Sequence, residues 1–224
     1  NNQQIQFNKL LSELKRKSRV SECFCKSTQC SERIINAHSI QNNKILSKIA
    51  DNGKIKQINQ DSFFSNDATN IGKNAATTFS GFCGYHDNSI FCPIEENDFN
   101  NSEEHVFLFT YRTLAREYIV KKFSVNFFTE LSKINECYFQ PFLLGTTNAL
   151  DYLQKYKTRF NSALTTNNFS LVKSKIITLD TEYLLAVSSG FNLEYDLDGN
   201  QLNDLAEINT RLKIFFLNIF PQNN

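Results

Sequence analysis

The stretch from Cys23 to Glu95 constrains this chain most, because it gathers five of the six cysteines and two of the three histidines. It opens with Cys23-Phe24-Cys25 and Cys30, passes through Ala37-His38-Ser39-Ile40, and returns at Phe82-Cys83-Gly84-Tyr85-His86-Asp87. Thiols and imidazoles grouped this way point to a metal site. Zinc takes four soft or borderline ligands in a tetrahedron, usually as two pairs from two short turns. One pair would come from Cys23, Cys25 and Cys30. The other would be Cys83 and His86, spaced C-x-x-H, with Gly84 allowing a tight turn between them. Zinc fits such a set better than an iron–sulfur cluster, because a histidine meets only three cysteines. The competing reading is a set of free, partly buried thiols. Cys92 and Cys137 stand outside the pattern, and Cys137 is expected to be a core thiol at the end of an apolar helix.

The 224 residues suffice for one substantial domain or two small ones, and 41% hydrophobic with 21% charged residues indicates a globular chain. Phenylalanine is heavily used, at 21 residues, while methionine and tryptophan are absent. A formal net charge of +1 excludes a global field that would recruit nucleic acid or membrane, so any polyanion contact must come from a local patch. No apolar run is long enough to span a bilayer. The polar N-terminus lacks the apolar core of a secretory signal. A cytoplasmic location is therefore expected, where cysteines serve as metal ligands more often than as disulfides.

Along the chain, Ile5, Leu10, Leu11 and Leu14 recur at helical spacing over residues 3–19, which end in Lys15-Arg16-Lys17-Ser18-Arg19. A basic last turn complements the helix dipole, and it could also contact phosphates. Residues 32–38 read as extended. Ile45, Leu46 and Ile49 share a helical face that Asp51-Asn52-Gly53 is expected to stop, and residues 54–58 read as a strand. The Asn-, Ser- and Asp-rich residues 59–76 read as a loop. The longest helix is expected from Asn101 or Ser102, with Glu103 and Glu104 in its first turn. Phe107, Tyr111, Leu114 and Tyr118 would form its apolar face, and Arg112, Arg116, Glu117, Lys121 and Lys122 its wet side. A second helix over 147–160 would fold back after a turn at Pro141 and Gly145. Short Ile-, Leu-, Val- and Phe-rich runs at 171–179, 183–187 and 212–220 read as a small antiparallel sheet, though a helix over 203–219 competes for the last of them. Ser188-Ser189-Gly190 and Asp196-Leu197-Asp198-Gly199-Asn200 read as turns. The expected fold class is α+β: a zinc-finger-like ββα module with a leading helix over residues 1–100, then a helical hairpin and a C-terminal β region over 101–224.

His38 admits three roles: zinc ligand, general base or structural histidine. Asp87, directly after His86, would point away from a zinc held by His86 and could bind a second, harder metal or cap a helix. His105 is expected at a surface or interhelical contact. Taken together, these residues resemble a diverged HNH, or ββα-metal, endonuclease finger. Cys25 and Cys30 resemble its first cysteine pair, Ala37-His38-Ser39-Ile40 its strand with the catalytic histidine, and Cys83 with His86 its second pair. The run Thr78–Asp87 with Phe91 and Pro93-Ile94-Glu95 is also similar to a group of uncharacterised bacterial proteins, over residues 20–120 or so. The chain departs from the HNH pattern at Ala37, at Thr78 in place of an asparagine, and at Asp87 in place of the last metal-binding histidine.

The resemblance implies a nuclease in which His38 activates water and Asp87 holds magnesium or manganese, with Glu95 as a spare carboxylate. Lys15, Arg16, Lys17 and Arg19 would hold the phosphates of DNA or RNA. By analogy with small HNH proteins of bacterial phage defence, a protein partner would supply further affinity. The alternative is a catalytically inactive, zinc-stabilised protein-interaction module. A thiol-redox role for Cys23 and Cys25 lacks the C-x-x-C at a helix start that such chemistry uses.

Overall fold

Nine consecutive residues, Phe107 to Ala115, are buried in the first half of a single helix, against which elements from both ends of the chain pack. The computed structural model of the protein describes residues 2–27, 29–31, 33–58, 68–207 and 212–222. In chain order it contains α1 (Asn2–Lys17), β1 (Ile34–His38), a π-turn over Asn42–Leu46 running into the short α2 (Ser47–Ile49), β2 (Lys54–Ile58), β3 (Ala68–Gly72) and β4 (Thr78–Cys83). There follow α3 (Gly84–Glu96), α4 (Glu103–Ser132), α5 (Glu136–Thr165), β5 (Val187–Phe191) and β6 (Phe215–Ile219). Three two-stranded antiparallel sheets form: β1 with β4, β2 with β3, and β5 with β6. The architecture is mixed α+β with a long helical pair, and no helix among the described residues is long and apolar enough to cross a membrane.

Helix α4 begins where its sequence signals place it. The Ser102 side chain accepts from the His105 N–H at 3.2 Å, and Glu103 and Glu104 occupy the first turn. It is apolar nearly all round in its first half because it is covered from several sides. The β1–β4 pair and α3 approach from the N-terminal side, α5 runs antiparallel alongside, and the β5–β6 ribbon lies on a further face. The main core accordingly takes residues from both sides of position 100, including Phe24, Phe82, Phe91, Phe107, Tyr111, Leu114 and Phe160. Tyr111 is its centre, ringed by Phe24 at 5.3 Å, Phe107 at 5.9 Å, Phe82 at 6.1 Å and Phe91 at 6.2 Å. A smaller cluster of Leu14, Phe127, Phe128 and Leu131 docks α1 on the far end of α4.

Several sequence expectations need correction. The turn between the long helices falls at residues 133–135, where the Asn135 side chain accepts from Tyr138 N–H at 3.2 Å, so Pro141 and Gly145 lie inside α5. Pro141 removes one helical hydrogen bond, to the carbonyl of Cys137. Both residues are exposed, so that carbonyl faces water and the helix continues. Cys137 consequently sits on the surface at the start of α5 and is not a core thiol. Arg112, expected on the wet face, is only 3% exposed, and His105, expected at a surface or interhelical contact, is 3% exposed and so not at the surface.

Asn52 and Gly53 both have positive φ and link Asp51 to Lys54 by two backbone hydrogen bonds of 2.9 Å. That is a two-residue hairpin turn rather than a helix stop. Residues 68–72, read as loop, form the strand that pairs with β2, while 59–67 lie outside the described residues. In the last third, residues 172–186 form no strand, and among the described residues the strands are Val187–Phe191 and Phe215–Ile219, which pair, with one isolated bridge between Tyr195 and Gln201. The competing helix over 203–219 does not form where it is described, and 208–211 lie outside the described residues. Ser188-Ser189-Gly190 is strand rather than turn, because the small residues let the ribbon approach α4. Thr113 Oγ1 lies 2.8 Å from Ser188 Oγ in β5 and 3.0 Å from Asn218 Oδ1 in β6, and a Cβ at Gly190 would stand 3.1 Å from Glu117 Cγ.

Candidate metal centre

Four donor atoms converge where the chain enters and leaves the β1–β4 pair. Cys23 and Cys30 come from the irregular segment before β1, and Cys83 and His86 from the junction of β4 and α3. Their ligand atoms all lie within 4.8 Å of one another. Cys23 Sγ stands 3.8 Å from Cys83 Sγ, and Cys30 Sγ 3.5 Å from Cys83 Sγ. His86 Nδ1 lies 3.3 Å from Cys23 Sγ and 3.2 Å from Cys83 Sγ. A tetrahedron with zinc–sulfur bonds of about 2.3 Å and zinc–nitrogen bonds of about 2.0–2.1 Å has edges of about 3.8 Å between sulfurs and about 3.5 Å between sulfur and nitrogen. The observed separations match that figure, and the group could hold a metal such as zinc.

The local sequence explains how the ligands are aimed. Cys83 caps α3, its sulfur accepting from the His86 N–H at 3.5 Å, so Cys83 and His86 sit three residues apart on one face of a first helical turn. The helix start, not a glycine turn, sets the C-x-x-H spacing, and Gly84 has no positive φ. His86 Nδ1 faces the sulfurs and Nε2 lies 3.0 Å from Ser27 Oγ; with a metal on Nδ1, Nε2 would carry the proton and donate to that hydroxyl, the outer-shell bond that fixes a ligand's tautomer. Burial pushes the Cys23 thiol up to about 12. Burial raises Cys83 as well, but hydrogen bonds from Ser31, the His86 N–H and Cys30 outweigh it and bring this thiol down to about 6. A metal bound here would displace the remaining thiol protons.

Cys25, expected among the ligands, lies outside the group. The chain bends at Phe24 and Cys25, Phe24 plunges into the core with its N–H on the Gly81 carbonyl at 2.7 Å, and the Cys25 thiol turns to Tyr111. Cys23 takes its place. Gly81 itself has no room for a side chain. A Cβ there would run into the Phe79 ring and stand 3.2 Å from Ile119 Cγ1. Gly81→Ala is therefore expected to cost about 1–3 kcal/mol, several degrees in Tm, as a thermal melt would register. An unchanged Tm would show that the Phe79 ring yields freely.

His38 and Asp87 lie outside the metal group, in a second polar cluster with Glu95 and Arg112. His38 ends β1, and its Nδ1 donates to the Ala76 carbonyl at 3.0 Å, which leaves Nε2 as the unprotonated nitrogen. Burial lowers the His38 pKa, with the Ala76 bond opposing and the Arg112 charge assisting. Asp87, in the first turn of α3, is raised by burial against the pull of Arg112, and its Oδ1 is buried without a hydrogen-bond partner. Arg112 reaches across from α4, donates to Glu95 Oε1 at 2.6 Å and lies 4.0 Å over the Phe91 ring. Glu95 is thus engaged by an arginine rather than spare. Among the described residues the Cys23, Cys30, Cys83 and His86 group is the one cluster of three or more donors at ligand spacing, so His38, Asp87 and Glu95 do not form another.

The basic run is elsewhere. Lys15, Arg16 and Lys17 end α1, Lys17 pairs with Glu13 at 3.2 Å, and the Ser18 carbonyl accepts from Asn126 near the far end of α4. At 1.5 Å per residue, Asn126 is roughly 20 Å along α4 from Arg112. Sequence reasoning missed Ser27, Ala76 and Arg112. The first two act through a hydroxyl and a carbonyl that any sequence offers, but Arg112 was visible as a charge inside an apolar run. Comparison with protein families, curated proteins and solved structures returns no match to this chain.

Proposed function

We propose that this chain hydrolyses phosphodiester bonds in nucleic acid, as an HNH-like finger whose β1–β4 pair and α3 are held by a structural zinc on Cys23, Cys30, Cys83 and His86. His38 is the general base and Asp87 the ligand of a magnesium or manganese ion. One observation carries the reading: His38 presents an unprotonated Nε2 in the same electrostatic cluster as a buried carboxylate oxygen of Asp87 that has no partner. Magnesium commonly takes only one or two protein carboxylates and completes its shell with water and substrate phosphate, so the single ligand Asp87 is compatible with it. When bound, such an ion stabilises the leaving oxygen. His38 Nε2 takes the proton from the attacking water, while the Ala76 carbonyl holds the imidazole in register and steadies the positive charge it gains. Lys15, Arg16, Lys17 and Arg19 contact phosphates further along the strand, about six nucleotides away at 3.4 Å per step.

The test is cleavage of DNA and RNA oligonucleotides by the purified protein with manganese or magnesium. His38→Ala is expected to lower the rate by about 10²–10⁴-fold with zinc content unchanged. Equal cleavage by wild type and variant, or none by either, would sink the reading. The base must be neutral, and burial depresses its pKa, so activity should rise with pH through a midpoint below 6.5. A midpoint above 6.5 would contradict the assignment of His38.

A second reading, a zinc-stabilised interaction module, draws on a different observation. Ile177, Leu179, Tyr183, Leu184 and Leu197 are all exposed in the C-terminal third, more apolar surface than a solvated segment needs. Here His38→Ala would change no activity, and replacing Leu184 with a charged residue would abolish partner binding.

A further inference from the structure

A cavity of about 310 Å³ opens between α2, the end of α3, the start of α4 and the residues after β6. We propose that it binds a small organic monoanion with a flat apolar body, an aromatic carboxylate in chemical class, held by Lys48. This site is separate from the zinc group and from His38, and it stands or falls independently of the nuclease reading.

Lys44 and Lys48, four residues apart, both line the cavity. Lys44 is engaged, its Nζ donating to Asp98 Oδ1 at 3.0 Å and to the Glu96 carbonyl at 2.9 Å. Lys48 Nζ is buried without a hydrogen-bond partner, the one ammonium nitrogen so placed among the described residues. An ammonium withdrawn from water costs free energy unless an anion meets it. Two lysines and Asp98 leave the cavity one positive charge in excess, which a single carboxylate balances. The rest of the wall mixes the polar side chains of Gln41, Asn43, Ser47, Asn97 and Gln222 with an apolar, aromatic face. That face includes Ile94, Phe99 and Phe220, with Phe220 stacked on Phe109 at 4.9 Å and Phe99 edge-on to Phe220 at 5.5 Å. Polar groups gathered beside an aromatic face, in a cavity of this volume, suit a small ligand with a flat body and one charged end. The flexible four-carbon stem of Lys48 lets its ammonium turn to the carboxylate.

The test titrates the full chain with 2-naphthoate, followed by the probe's fluorescence, which the absence of tryptophan leaves unobscured by indole. The neutral isostere 2-naphthalenemethanol is titrated beside it. Saturable naphthoate binding is expected, at least about tenfold tighter than that of the alcohol, from one charged hydrogen bond. Lys48→Gln should erase that difference, Lys48→Arg should keep it, and Phe99→Ala should weaken both compounds. No saturable binding, equal binding of acid and alcohol, a preference that survives in Lys48→Gln, or no effect of Phe99→Ala would each overturn the proposal.

Discussion

Cys83→Ala should lose the bound metal and unfold the N-terminal part of the chain, the largest stability effect of any single substitution here. Cys83 sits at the centre of the donor set, within 3.8 Å of Cys23 and Cys30 sulfurs and 3.2 Å of His86 Nδ1. It also caps α3 through the His86 N–H. The segment before β1 carries almost no regular structure and otherwise reaches β4 and α3 through a few hydrogen bonds, such as Phe24 N–H to the Gly81 carbonyl and Tyr85 Oη to Gln29, so a bound metal would be its strongest tie to α3. Structural zinc contributes roughly 10 kcal/mol or more in small zinc-dependent domains. Phe24 and Phe82, flanking the ligands, pack on Tyr111, so part of that loss should be offset by the shared core. Circular dichroism and thermal melts of Cys83→Ala, and of wild type with a strong chelator, should show the same loss. Chelator without effect on the melt would mean that the cysteines are ordinary buried thiols.

Tyr111→Ala should cost about 3–5 kcal/mol, because it empties the place where aromatic rings from β4, α3, α4, α5 and the segment before β1 meet. In a chain of this length that lowers Tm by about 10 °C or more. Tyr111→Phe keeps the rings in contact and removes only the hydroxyl that donates to Asn161 Oδ1 at 2.6 Å, so about 1 kcal/mol is expected. The contrast matters more than either value. A small effect of Tyr111→Ala would show that the helical pair and the residues before α4 do not share a core.

How much of this was legible in the sequence varies by physical cause. Local signals read well: the Ser102 cap with Glu103 and Glu104, the amphipathic α1, the strand at 54–58, and the cysteines and His86 as a group. Signals set by distant packing read poorly. Pro141 and Gly145 look like helix breakers, yet α5 runs through both, with the carbonyl that Pro141 leaves unpaired on an exposed face. Ser188-Ser189-Gly190 looks like a turn until α4 is seen pressing on it. Cys25 and Cys23 are indistinguishable by spacing, and only the bend that sends Phe24 into the core separates them. Arg112 was read as a wet-face residue because charge normally marks the solvent side, and nothing local announces that Glu95 and the Phe91 ring wait opposite it. The run 171–179 has strand composition but no ladder partner among the described residues.

The central claim is that Cys23, Cys30, Cys83 and His86 hold one metal ion that ties the segment before β1 to α3. Elemental mass spectrometry on protein purified without added metal tests it most directly. About one zinc per chain, retained in Cys25→Ala and lost in His86→Ala, is the predicted result. No bound metal, with all six thiols free to titrate, would contradict it.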